Sequence, residues 1–103
     1  GDILGPVDCQ LEWLSPQSLQ VKWRPNSFEG NGLEADLLFY VAYDPLTQRK
    51  WSVKKGEYRK NGSMQIDYPW GGSMEGKFYH YLSFYRVKKN EVEFSDSVCL
   101  GIF

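Results

Sequence analysis

The chain has 103 residues, of which 42% are hydrophobic and 24% are charged, and its formal net charge at pH 7 is −1. A single domain of this length buries roughly 65% of the surface that its unfolded form exposes, which is enough for an autonomous core. No stretch approaches the ~18 apolar residues of a membrane span, so we expect no membrane insertion of this fragment.

Seven segments show the two-residue alternation, or the aromatic and β-branched enrichment, that is typical of β-strands. They cover residues 7–13, 18–24, 36–43, 50–54, 63–68, 77–87 and 91–103. Nowhere does a helical apolar period persist for ten residues. The sequence therefore predicts an all-β domain at 7–103, a seven-stranded antiparallel β-sandwich, preceded by a flexible lead-in at 1–6.

The segment 77–87 is the centre of the predicted sheet, because six of its eleven residues are aromatic or histidine. The sequence does not decide which side of this strand faces the core, since both sides are apolar. A second apolar strand, 36–43, is expected beside it. The predicted core is Trp23 surrounded by four neighbours, namely Leu19, Val21, Phe39 and Val41.

Two cysteines, Cys9 and Cys99, stand near opposite ends of the chain. Their even number and their placement favour a disulfide between the first and the last strand, as an oxidising compartment would allow. The alternative, two free thiols in a cytoplasmic domain, stays open.

The order of these elements resembles that of a fibronectin type III domain over nearly the whole chain. The matching segments are Pro6, the core tryptophan segment 19–23, the Tyr-x-Val-x-Tyr-like strand 39–43, Trp51, the corner segment 76–79 and the segment 94–97. The resemblance departs at Glu75, where a proline is usual, and in the long loop 26–35. It implies a non-catalytic protein-interaction module of an extracellular receptor or adhesion protein, with neighbouring domains in the parent chain.

No residue pattern predicts an enzyme, a cofactor or a metal site. His80 is the only histidine, and it lies within the aromatic strand, far along the chain from either cysteine. A lone histidine among aromatic rings is more often a packed residue than a ligand or a catalyst. Neither glycine-rich stretch has the strand-to-helix setting of a phosphate-binding loop.

The first binding hypothesis is protein recognition through an aromatic sheet face. If Leu82 and Phe84 point inward, alternation along the strand sends the neighbouring tyrosines outward. The predicted face consists of Tyr40, Tyr79, Tyr81 and Tyr85. Tyrosine is enriched at protein interfaces, and a tyrosine-lined face is also able to stack sugar rings, so carbohydrate binding is an alternative.

The second hypothesis is binding of an acidic glycan such as heparan sulfate. Residues 49–60 hold six of the twelve basic residues and one acid, and the rest of the chain is acidic, which argues against a nucleic-acid partner. The candidate patch is Arg49, Lys50, Lys54, Lys55, Arg59 and Lys60. The alternative is that these cations protect a strand edge from pairing.

A purely structural spacer without a ligand is the remaining interpretation. Asn61, in Asn61-Gly62-Ser63, is the only glycosylation sequon, and its use would indicate secretion. Together with the cysteines it leads us to expect an extracellular or cell-surface location, and a cytoplasmic location stays open.

Overall fold

The computed structural model describes residues 3–26, 32–53 and 56–103, and these fold into two antiparallel sheets. The eight strands are β1 Gln10–Ser15, β2 Ser18–Lys22, β3 Leu37–Tyr43, β4 Lys50–Val53, β5 Ser63–Asp67, β6 Tyr79–Lys88, β7 Glu91–Phe94 and β8 Val98–Ile102. A single 3₁₀ turn, Arg59–Asn61, precedes β5. Within the described ranges no helix is long and apolar enough to cross a membrane.

One sheet has three strands in the order β1-β2-β5, and the other has five. In the larger sheet β4, β3 and β6 lie side by side, while β7 and β8 share the remaining edge of β6. The apolar sides of both sheets meet in one core, in which Trp23 packs edge-on against Phe84. The predicted all-β, sandwich-like architecture is therefore confirmed, and Trp23 is buried as expected.

The first strand begins three residues later than the alternation of residues 7–13 predicts. Asp8 has a positive φ of 53°, which takes the chain out of the extended conformation before β1. Upstream of it, Ile3 belongs to the core and Pro6 is buried, so the described part of the predicted lead-in packs on the domain.

The predicted seventh strand at 91–103 is two strands, and the count of seven is corrected to eight. The interruption lies at Ser95, whose hydroxyl accepts the backbone N–H of Phe84 at 2.8 Å and donates to the carbonyl of Asp96 at 2.9 Å. A serine side chain that bonds the backbone in this way competes with the regular ladder. The extended chain therefore breaks between β7 and β8.

The register between β3 and β6 decides which side of each strand faces the core. Tyr40 lies opposite Leu82 and Leu38 opposite Phe84, and all four are fully buried. Phe39 lies opposite Ser83, on the outer side. The expectation that Phe39 and Val41 surround Trp23 was wrong, since the other side of β3 faces inward.

Candidate functional site

The outer side of the five-stranded sheet carries an almost uncharged surface, which we call the aromatic face. Residues that lie opposite each other in an antiparallel pair share a side of the sheet, so the register defines its members. They are Leu37, Phe39, Val41 and Tyr43 on β3, Lys50 and Ser52 on β4, Tyr79, Tyr81, Ser83, Tyr85 and Val87 on β6, Val92 and Phe94 on β7, and Cys99 and Ile102 on β8. Among these described positions Lys50, on the outermost strand, is the only charge.

The rings of the aromatic face contact one another. Phe39 packs edge-on against Tyr85, with centroids 6.5 Å apart, and Phe94 lies within 6 Å of both rings. Tyr85 is almost completely covered by its neighbours, and desolvation raises the pKa of both Tyr81 and Tyr85. Edge-on and tilted ring pairs of this kind hold the side chains in fixed positions. The face is thus a preformed surface.

The β6–β7 hairpin extends the aromatic face. Its outer side is apolar, with Val87 69% exposed, Val92 43% and Phe94 39%. Its charged residues lie on the opposite side, where Arg86 is opposite Glu93 in the register and Lys88 forms an ion pair with Glu93. The hairpin is therefore amphipathic, and its apolar side is continuous with the aromatic face.

The outer side of the three-stranded sheet is the internal comparison. Its members in the register are polar: Gln10 and Glu12 on β1, Ser18, Gln20 and Lys22 on β2, and Ser63, Gln65 and Asp67 on β5. Antiparallel sheets usually keep one face solvated in this manner. Only one sheet of this domain follows that rule, which marks the other as the candidate binding surface.

Tyr40, predicted as part of the outer face, is instead a core residue with no exposed surface. Its hydroxyl is hydrogen-bonded to the Tyr68 hydroxyl and lies 2.8 Å from Nδ1 of His80. Burial raises the pKa of Tyr40 above its ordinary range and that of Tyr68 to about 12, and burial lowers the pKa of His80 to about 4. These three groups stabilise each other as a neutral polar cluster inside the core.

Tyr79, Tyr81 and Tyr85 lie on the outer side of β6, where the first two are half-buried and Tyr85 is almost completely covered. In place of Tyr40, β3 supplies Phe39, Val41 and Tyr43 beside them. Because Tyr79 points outward, it does not form the buried corner that the segment 76–79 predicts. Phe78 occupies the core at that corner.

Arg59, a member of the predicted basic patch, is completely buried and does not contribute to a basic surface. Its guanidinium lies 3.0 Å from Oδ2 of Asp36, donates to the Asn26 side chain at 2.7 Å and to the Leu4 carbonyl at 2.6 Å, and lies over the Phe84 ring. A charge bound in this way ties the loops together and has no freedom to bind a polymer.

Arg49 is also engaged within the domain, since its guanidinium lies 3.5 Å from Asp44 and 4.7 Å from the centre of the Trp70 ring. Lys50 and Lys60 are exposed, each near a tyrosine ring. Lys54 and Lys55 lie outside the described residues. Of the four described members of the predicted basic patch, Arg49 and Arg59 are therefore engaged within the domain and not available to an acidic partner.

Cys9 and Cys99 are free thiols, so the predicted disulfide is not formed. Cys9 immediately precedes β1 in the chain and packs against the core, whereas Cys99 lies opposite Tyr81 on the aromatic face. The two side chains belong to different layers, which is why they do not meet. Burial, together with the charge of Asp8, raises the pKa of Cys9 to about 11.

Asn61 ends the 3₁₀ turn and is exposed, and Gly62 follows it at a positive φ of 73°. The side chain is accessible to an oligosaccharide, and glycosylation there stays a prediction. Across the described residues, no group of three or more His, Cys, Asp and Glu side chains is placed to hold a metal ion.

Sequence reasoning missed the contribution of β3 to the aromatic face. Phe39 and Val41 were predicted as core neighbours of Trp23, and only the pairing with β6 shows that they lie on the outer side, together with Leu37 and Tyr43. Comparison of the chain with known protein families and with curated proteins gave no match.

Proposed function

We propose that this domain is a non-catalytic protein-interaction module that binds a protein partner through the aromatic face. The observation that carries the proposal is the asymmetry between the two sheets: one outer side is polar, and the other presents ordered rings with one lysine at its edge. Contiguous apolar surface of this kind is rare on monomeric proteins and is typical of interaction sites.

A fibronectin type III-like identity is part of the same proposal. Its support is the strand arrangement, in which the third, fourth, sixth and last predicted strands form one sheet while the first, second and fifth form the other. Immunoglobulin-like sandwiches group their strands in a similar way. Such modules are common in extracellular receptor and adhesion proteins, which is the setting that we propose for this chain.

The acidic-glycan alternative loses its main support, because Arg59 is buried and Arg49 is paired. The aromatic face itself offers a single described cation, Lys50, to a sulfated polymer. We therefore propose a protein partner for this face.

The test is a binding screen of the domain against purified extracellular domains, with two matched variants. Val41→Lys adds a positive charge to the centre of the aromatic face, and Gln20→Lys adds the same charge to the centre of the polar face. We expect a partner that binds wild type and Gln20→Lys alike and binds Val41→Lys at least about tenfold more weakly, since a desolvated unpaired charge costs affinity. A partner that all three proteins bind equally would place the site elsewhere.

A further inference from the structure

The aromatic face has the size of a stable interface between two proteins. The five strands of this sheet hold 30 residues. At about 3.3 Å per residue along a strand and about 4.8 Å between strands, their flat footprint is roughly 480 Å². Side-chain relief brings the contact area near the ~600 Å² per partner at the lower end of stable interfaces. A short peptide or a single side chain would leave most of the face uncovered.

The charge of the face bears on which partner fits. In a two-fold contact the same patch lies on both molecules, so a patch with charges of one sign would repel its own copy. The described part of this face carries only Lys50, on the outermost strand, where the ammonium group reaches solvent at the rim. The charges of the β6–β7 hairpin are on its other side, and Lys88 is paired with Glu93 there. Among the described residues, no charge at the centre of the face opposes the approach of an identical face.

We infer that the aromatic face binds the same face of a second copy of this chain, which gives a face-to-face homodimer. This inference rests on the proposed function, because it names the partner of the same surface. Apolar sheet faces pack on each other about 10 Å apart, with their side chains interleaved. The exposed Val87, Val92 and Phe94, together with the half-buried rings of Tyr79 and Tyr81, supply the side chains for such packing.

Cys99 provides a built-in reporter of this contact. Its side chain is exposed and lies on the face opposite Tyr81, so a second copy would cover it. Cys9 serves as the internal reference, since it is half-buried in the domain and burial raises its pKa to about 11. The alkylation rate of Cys99 therefore reports on coverage of the face, and that of Cys9 reports on the integrity of the fold.

The experiment is sedimentation velocity of the whole chain from micromolar to millimolar concentration, with iodoacetamide labelling of parallel samples under reducing conditions. We expect wild type and Gln20→Lys to pass from monomer to dimer together, and alkylation of Cys99 to slow as the dimer forms. Val41→Lys should need at least about tenfold more protein to dimerise. Ser52→Lys, at an exposed position opposite Val41, should weaken the dimer without touching the core.

Two results would overturn the inference. One is a wild-type protein that stays monomeric at millimolar concentration with a constant rate of Cys99 alkylation. The other is a dimer that Val41→Lys and Ser52→Lys form as readily as wild type. If either result occurs and Val41→Lys still binds a partner from the screen more weakly than wild type does, then the aromatic face binds a different protein and not a second copy of this chain. The proposed function then stands. If Val41→Lys binds that partner as tightly as wild type does, both the homodimer inference and the proposed function are wrong.

Discussion

Arg59 is the residue around which the loops at one end of the domain are arranged. It is fully buried beside Asp36. The Asp36 carboxylate also accepts hydrogen bonds from Nε–H of Arg86 at 2.7 Å and from the backbone N–H of Leu33 at 2.8 Å. Burial alone would raise the pKa of Asp36, but the hydrogen bonds from Arg86, Leu33 and Arg59 outweigh it and lower that pKa. The carboxylate is thus held in its charged form between two guanidinium groups.

We expect Asp36→Asn to destabilise the domain by about 3–5 kcal/mol, because it leaves the buried Arg59 without a counter-charge. The free energy of unfolding in urea at neutral pH measures the effect. Glu12→Gln is the matched control: it removes an exposed acid from the polar face and should change stability by less than about 0.5 kcal/mol. Equal losses in the two variants would show that the buried pair contributes nothing specific.

His80 gives the domain a predicted pH dependence. Burial lowers the pKa of His80 from 6.5 to about 4, so the folded chain favours the neutral imidazole and protonation favours the unfolded chain. The contribution of His80 to the free energy of unfolding is therefore fully present above pH 6.5 and is lost as the pH falls towards 4. His80→Gln keeps a polar partner for Tyr40 and removes the titration. Urea unfolding across this range should show a decline that is smaller in the variant, by at most about 3 kcal/mol. Parallel curves for the two proteins would contradict this assignment.

Single residues differ in how far the sequence alone determines their place. Trp23 was predictable as a core residue, because its strand alternates cleanly between apolar and polar positions. The burial of Arg59 was not, because it stands among lysines in a segment whose composition indicates solvent exposure. Its partner Asp36 is 23 positions away, and only the fold brings the two together.

At the scale of elements, each of the seven predicted segments overlaps a strand, although the first begins later and the last is divided in two, and the inner side of β3 was not predicted. Both sides of β3 are apolar, so a period of two does not distinguish the side with Tyr40 from the side with Phe39. The break between β7 and β8 depends on the hydroxyl of Ser95, a contact that composition does not reveal. Register and side-chain-to-backbone bonds thus account for the differences.

Gly56 lies so close to the backbone of β3 that no side chain fits there. An added Cβ there would lie 1.9 Å from the carbonyl oxygen of Leu38, beside the hydrogen bond from the Leu38 N–H to the Glu57 carbonyl. We expect Gly56→Ala to force the segment away from β3 and to cost about 1–3 kcal/mol, as overpacking does.

Thermal and urea unfolding of Gly56→Ala should be compared with those of Gly71→Ala. An added Cβ at Gly71 meets nothing within 4 Å, so this control should be neutral or slightly stabilising. A Gly56→Ala variant as stable as the control would mean that residues 56–58 do not lie along β3.

The whole molecule is a layered domain with two unlike outer surfaces. The polar side of the three-stranded sheet is ordinary for an antiparallel sheet, whereas the aromatic face is apolar on the side that should be solvated. The chain has 17 aromatic residues, namely 4 Trp, 7 Tyr and 6 Phe, and the fold places six of them on this side of the sheet. A homophilic contact through this face would suit a module of an adhesion protein.

The most direct measurement of this account is hydroxyl-radical footprinting of the tyrosines by mass spectrometry, at a concentration low enough to keep the chain monomeric. Tyr43, Tyr79 and Tyr81 on the aromatic face should be oxidised, with the exposed Tyr58 as the positive control. The core residues Tyr40 and Tyr68 should be protected. Oxidation of Tyr40 together with protection of Tyr79 and Tyr81 would mean that the opposite sides of β3 and β6 face solvent, and the proposed binding surface would not exist.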